Sequence, residues 1–190
     1  MLIEVIVIGI LVGLLTGGNL RRLGDIRLRG VELLFAAFIM QALVSSVSAW
    51  RPGLGHSLLL ISFLLLLAGL SRNKPTPATA LMGTGVFLNL IVIFTNGGMP
   101  VKIKAWPAGF NDHIHVQLSK TTSLPWLGDV ITWPLPGFLG GLVSIGDILL
   151  SAGIFVLIVR GMKYQGLRRS KRPAANGQYD KIRSNRDMLS

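Results

Sequence analysis

The 190-residue sequence contains no cysteine, which excludes a disulfide framework, an iron–sulfur cluster and a thiol nucleophile. Charge is also scarce. Asp, Glu, Lys and Arg make up 14% of the chain, against about a quarter in a typical soluble domain. That charge is one-sided, with 19 Lys and Arg to 8 Asp and Glu. The net charge of +11 does not point to a nucleic-acid partner, because it sits in loops and a tail beside apolar spans, where it sets membrane topology. The start, Met1-Leu2-Ile3-Glu4, lacks the basic region of a cleavable signal peptide and carries an acid in its place.

What fills the chain is apolar: 51% of residues, with a mean hydropathy of +0.59. Apolar runs fall at about 3–17, 31–49, 54–70, 78–95 and 140–159, each near the ~20 residues that cross a hydrocarbon core. The expected fold is an all-α membrane protein, with five transmembrane helices in residues 1–160. In the first span Gly9, Gly13 and Gly17 recur on one helical face, a spacing that lets helices approach closely. Glu32 opens the second span, where it can pair with an arginine of the preceding loop, and Gln41 lies further in. The third span is nearly pure leucine and reads as lipid-facing. Pro75 and Pro77 suit the start of the fourth. Asn89 within it reads first as a hydrogen-bonding link between helices and second as a ligand contact.

Residues 96–137 form an insert too long for a structureless connection. Val101, Ile103 and Ala105 alternate with Lys102 and Lys104; Ile114, Val116 and Leu118 alternate with His113, His115 and Gln117. Alternation of this kind predicts two half-buried strands, hence a small β-hairpin lying on the membrane surface, with an amphipathic helix over 110–118 as the competing reading. Residues 161–190 are basic and poor in large apolar side chains, the composition of a disordered tail.

Five spans place alternate loops on opposite faces. The loop at 19–30, the turn at 71–77 and the tail together carry fifteen Lys and Arg, against four on the other face. Cytoplasmic loops carry the excess of basic residues, so the N-terminus is expected outside and the tail in the cytoplasm. All four tryptophans then fall at the outer face, as an interface-hugging segment requires. The expected partners are the bilayer itself and anionic lipid head groups, met by Arg168, Arg169, Lys171 and Arg172.

The order of motifs is distinctive: Gly17-Gly18-Asn19, then Leu23-Gly24-Asp25-Ile26-Arg27-Leu28-Arg29-Gly30, then Asn96-Gly97-Gly98-Met99-Pro100-Val101. Leu124-Pro125-Trp126-Leu127-Gly128-Asp129-Val130-Ile131 follows, and Ser144-Ile145-Gly146-Asp147 opens a last run ending Ser151-Ala152-Gly153. From residue 1 to about 160 this order resembles a bacterial family of small membrane proteins, the family of unknown function DUF5317. The resemblance implies a bacterial plasma-membrane protein and supplies no mechanism. Residues 129–153 also resemble the two aspartate motifs of lipoprotein signal peptidases, in which an outward-facing aspartate pair is catalytic. Asp129 and Asp147 occupy analogous places, although Ile145-Gly146 stands where that family has Asn-x-Ala.

Two functional readings of these acids stand. As a catalytic dyad, Asp129 and Asp147 would share a proton, one activating water and the other donating to a substrate carbonyl. A strand at Val130-Ile131-Thr132, a turn at 134–137 and a returning segment would bring Asp129 over the start of the last helix. As structural groups, Ser144 and Asp147 form a capping pair and Gly128-Asp129 a turn. Asn96-Gly97-Gly98 reads as a helix C-cap whose amides can also line a ligand pocket. The pocket expected from these motifs, formed by Asn96, Gly97, Gly98, Asp129 and Asp147, would bind a lipid head group or small solute. Asp112-His113-Ile114-His115 offers alternate strand residues on one face but no third ligand, so no metal and no cofactor are expected.

Overall fold

The computed structural model describes residues 2–102, 114–133 and 141–163. Five α-helices are present: α1 (Leu2–Leu15), α2 (Val31–Trp50), α3 (Pro52–Ser71), α4 (Pro77–Asn96) and α5 (Ile145–Lys163). The last four are long and apolar enough to cross a membrane. At 14 residues, α1 spans only about 21 Å, short of the ~30 Å hydrocarbon core.

Local chemistry sets the helix bounds. Thr76 and Thr79 form a reciprocal capping box ahead of α4, with Pro77 in its first turn. Gly97 ends α4 with φ +73°, a left-handed conformation that costs a side chain-bearing residue about 1–2 kcal/mol. Arg51 alone separates α2 from α3, and Pro52 starts the second of these at once. The last helix starts at Ile145 and not near residue 140, because Ser144 is its N-cap. It continues past Val159, carrying Arg160 and Lys163 in its final turn, where cations suit the negative end of the helix dipole.

The helices pack in the order α2, α3, α4, α5, α1. α3 therefore lies between α2 and α4 and buries Leu59, Ser62, Leu66 and Leu70 on one face, while Leu54, Ile61 and Leu64 stay exposed on the other. α2 is the more exposed, showing Phe35, Phe38, Ile39 and Leu43 outward. α1 runs alongside α5 in the same direction, Gly9 against Ile158 and Gly13 against Met162. Gly17 plays no part in that contact, having left the helix with φ +81°.

The bundle has a basic end and an acidic end. At the basic end, the loop after α1 closes over the C-terminus of α5: Asn19 N–H donates to Met162 O at 3.0 Å and Arg22 Nη1 to the same carbonyl at 3.3 Å. Glu32 is paired with Arg72, at 2.6 Å, and not with an arginine of its own preceding loop. The α2–α3 hairpin returns Arg72 beside it.

At the opposite end the described part of the insert is built into the bundle. β1 (Met99–Val101) is buried throughout, with Met99 and Leu127 in one apolar cluster with Val44, Leu59, Val92 and Ile93. β1 pairs in parallel with β2 (His115–Gln117), where the alternation predicts an antiparallel hairpin. Parallel pairing needs a crossover too long for a tight turn, and residues 102–114 supply one. Ile103, Ala105, Asp112 and His113 lie outside the described residues. Residues 115–117 are strand and not part of the alternative helix. The antiparallel pair lies later in the chain: β3 (Ile131–Thr132) against β4 (Leu142–Val143), in the register Ile131 to Val143 and Thr132 to Leu142. The turn expected at 134–137 and the tail beyond Lys163, with Arg168, Arg169, Lys171 and Arg172, are outside the described residues.

Candidate functional site

The acidic end is assembled from four separate stretches. Asp147 sits in the first turn of α5 as the third residue after the Ser144 cap. Its N–H donates to Ser144 Oγ at 2.9 Å, and its Oδ2 accepts from the Ser144 N–H at 3.2 Å. This is a reciprocal capping box. Asn89, inside α4, reaches across to it: Nδ2 donates to Asp147 Oδ1 at 2.9 Å, and Asn89 Oδ1 accepts from Ser144 Oγ at 3.0 Å. Gly146 makes the reach possible, since a Cβ there would fall on the Asn89 amide and 2.7 Å from Gly85 O.

Asp129 is placed by backbone hydrogen bonds. Its N–H donates to Pro100 O at 2.7 Å, and its carbonyl accepts from Lys102 N–H at 3.1 Å, so the segment lies parallel to β1 on the side away from β2. Gly128 lets it lie so close, because a Cβ would strike Pro100. The Asp129 side chain is 9% exposed, and its Oδ2 lies 3.2 Å from His115 Nε2 on β2. β1 thus acts as a spacer that holds an acid on one flank and an imidazole on the other.

A cavity of about 190 Å3 joins these groups. Asp129, His115, Asn89 and Asp147 line it together with Gln41 from α2, and Ile93 and Met99 supply apolar wall. The structure therefore brings Asp129 and Asp147 to one space from positions far apart in the chain. Asn96, Gly97 and Gly98 are not among its walls. Asn96 instead ties down a neighbouring loop: its Nδ2 donates to Ser123 O at 2.9 Å, and its Oδ1 accepts from Ser123 N–H at 2.8 Å. Gly97 caps α4. Gly98 allows a close crossing, with Ile114 O 2.9 Å from where a Cβ would stand.

Gln41, Asn89 and His115 thus join the two acids in the site. Two of these are amides within apolar helices long enough to cross a membrane, which is the one local signal that marks them. His115 carries no such signal, because its partner is set by strand pairing. Glu4 is a further buried acid, in α1. Among the described residues no group of three or more His, Cys, Asp or Glu is placed to hold a metal ion. A larger groove of about 530 Å3 lies near the basic end, between α3 and α4. Of its polar groups, Asn73 is engaged with Arg29 and Gly69, Ser71 with Ala68 and Thr79 in the α4 cap.

The model of a family of unknown function, DUF5317, matches residues 25–159. The chain is also similar to an uncharacterised protein of Thermotoga maritima, with 28% identity over 171 residues, covering 87% of this chain and 94% of the relative. No solved structure matches it.

Proposed function

The chain belongs to the family of unknown function DUF5317, and from that premise we propose that it is a multi-pass bacterial plasma-membrane protein whose outward-facing pocket binds a lipid head group or small polar solute. The observation that carries the reading is the convergence of Asp129, Asp147, His115, Asn89 and Gln41 on one cavity. Polar side chains at membrane depth are costly, about 2.5–3.5 kcal/mol for an acid at mid-bilayer on insertion scales. A cluster of them around an open space is better explained by a ligand than by packing alone.

Outward orientation is supported by the basic end, where Arg21, Arg22, Arg27, Arg29, Arg72 and Lys74 gather. The cytoplasmic side favours such residues. The orientation follows from α2 to α5 alone; a crossing by α1 decides only the side of the N-terminus. The shared direction of α1 and α5 supports a fifth span with the N-terminus outside. The tail, with Arg168, Arg169, Lys171 and Arg172, then faces anionic cytoplasmic lipid, where it can also recruit partners as a scaffold would.

Aspartyl hydrolysis is the second reading, favoured by the common cavity of Asp129 and Asp147. It is the weaker one. A dyad needs two carboxylates sharing a proton, whereas Asp147 serves a helix cap and Asn89 and Asp129 lies against His115. Thermal-shift titration of the purified protein with lipids and small solutes tests binding: a ligand that raises the unfolding temperature of the native chain but not of Gln41→Leu supports it. No shift with any of them counts against it. Incubation with a membrane-peptide library separates the readings, since cleavage abolished by either Asp→Asn change would favour hydrolysis.

A further inference from the structure

An apolar cleft of about 290 Å3 continues from the polar cavity into the middle of the bundle. Gln41, Phe63, Asn89 and Asp147 line both spaces, so the two share a boundary. Beyond it the walls are hydrocarbon: Phe38 from α2, Val86 from α4, Leu150 and Ile154 from α5. The cleft arises because α2 packs along α3, whereas α5 packs along α4 and α1, which leaves the facing sides of α2 and α5 apart. Phe38, at the rim, is 51% exposed. In a bilayer the medium at that opening is acyl chain, and apolar walls offer water no partners.

The polar end selects the head. Asn89 spends its amide on Asp147 and Ser144. Gln41 makes no hydrogen bond to any described residue, so its carboxamide is available at the boundary. With the Asp147 carboxylate in the same wall and Asp129 held against His115 behind it, the boundary is rich in acceptors. An ammonium group, with three donors and no acceptor, complements it, and an anionic head does not.

Resting on the pocket reading above, we propose that the ligand is an amine-headed amphiphile that enters sideways from the bilayer between α2 and α5. One acyl chain lies in the apolar cleft and the ammonium meets Asp147 and Gln41, with Asp129 beyond. The cleft is at the lower limit of the ~300–1,000 Å3 usual for small-molecule pockets, which suits one chain. The second chain of a diacyl lipid stays in the membrane.

The test uses the full-length protein in phosphatidylcholine nanodiscs and lyso-phosphatidylethanolamine with a photoactivatable diazirine near its chain end. Saturable labelling of the peptides containing Phe38 and Ile154 is expected, displaced by unlabelled lyso-phosphatidylethanolamine. Lyso-phosphatidylglycerol, which shares the phosphate and lacks the ammonium, should compete at least about tenfold less well, the size of one charge-assisted hydrogen bond. Gln41→Leu, which breaks no bond within the described fold, should weaken labelling by a similar factor. Val86→Trp and the milder Leu150→Phe should block it by filling the cleft, with unchanged gel-filtration profiles as the folding control. Unsaturable labelling, or equal competition by lyso-phosphatidylglycerol, overturns the proposal. Equal competition by free ethanolamine removes the chain and leaves the polar pocket standing. Binding of neither lysolipid nor small solute removes the pocket itself.

Discussion

Asn89 on α4 donates to Asp147 on α5 across 2.9 Å, and the same amide accepts from the Ser144 hydroxyl that caps α5. One side chain thereby ties the middle of one helix to the start of another. The pair joins the two helices at the floor of the polar cavity.

Asn89→Leu should lower stability by about 1–3 kcal/mol, because Ser144 and Asp147 both lose a partner in a partly buried site. Thermal unfolding in detergent measures it. In a double-mutant cycle with Asp147→Ala, which removes the acceptor, a coupling of about 0.6 kcal/mol or more is expected, the mean for interhelical hydrogen bonds in a membrane bundle. Zero coupling would mean that the bond contributes nothing.

Two glycine replacements should act with opposite sign. Gly146→Ala places a methyl group on the Asn89 amide and against Gly85, and such overpacking costs about 1–3 kcal/mol. Gly83→Ala in α4 meets nothing within 4 Å and should stabilise by about 0.5–1 kcal/mol, as expected for removing glycine from a helix interior. Equal melting temperatures for the two variants would contradict the packing described for α4 and α5.

Gly97→Ala is expected to destabilise by about 1 kcal/mol or more, since φ is +73° and alanine resists the left-handed region. Gly97→Asn should cost less, because asparagine tolerates that region. Comparing the two melting curves isolates the backbone effect from any loss of packing, as nothing lies within 4 Å of this position.

The absence of cysteine makes single-cysteine topology mapping free of background. With the proposed orientation, Thr121→Cys should react in intact cells with a membrane-impermeant maleimide, and Lys74→Cys only after permeabilisation. The reverse pattern would place the cavity on the cytoplasmic side and overturn the outward-facing pocket.

Disrupting the acid–imidazole pair should separate position from charge. His115→Gln keeps a hydrogen-bonding group near Asp129, whereas His115→Leu leaves a buried carboxylate facing an apolar side chain. The second should unfold at a lower temperature than the first at neutral pH, because it removes the contact at Asp129 Oδ2.

Some of this was legible in the chain alone, because the relevant physics is local. Lipid demands about twenty apolar residues per crossing, so α2 to α5 announce themselves. Ser144 with Asp147, and Asn96-Gly97, read correctly as a cap and a stop, because capping is settled within one turn of backbone. The parallel pairing of β1 with β2, the placing of α3 between α2 and α4, and the partnership of Glu32 with Arg72 were not legible. Each depends on which distant segment comes to lie alongside, and periodicity within a run carries no record of that. The same holds for the cavity. Sequence spacing marked Asp129 and Asp147, but only the fold could bring Gln41 and His115 to the same wall and leave α2 and α5 apart. A cleft is made by the mismatch of surfaces from separate helices, and no single stretch of chain contains both sides of it.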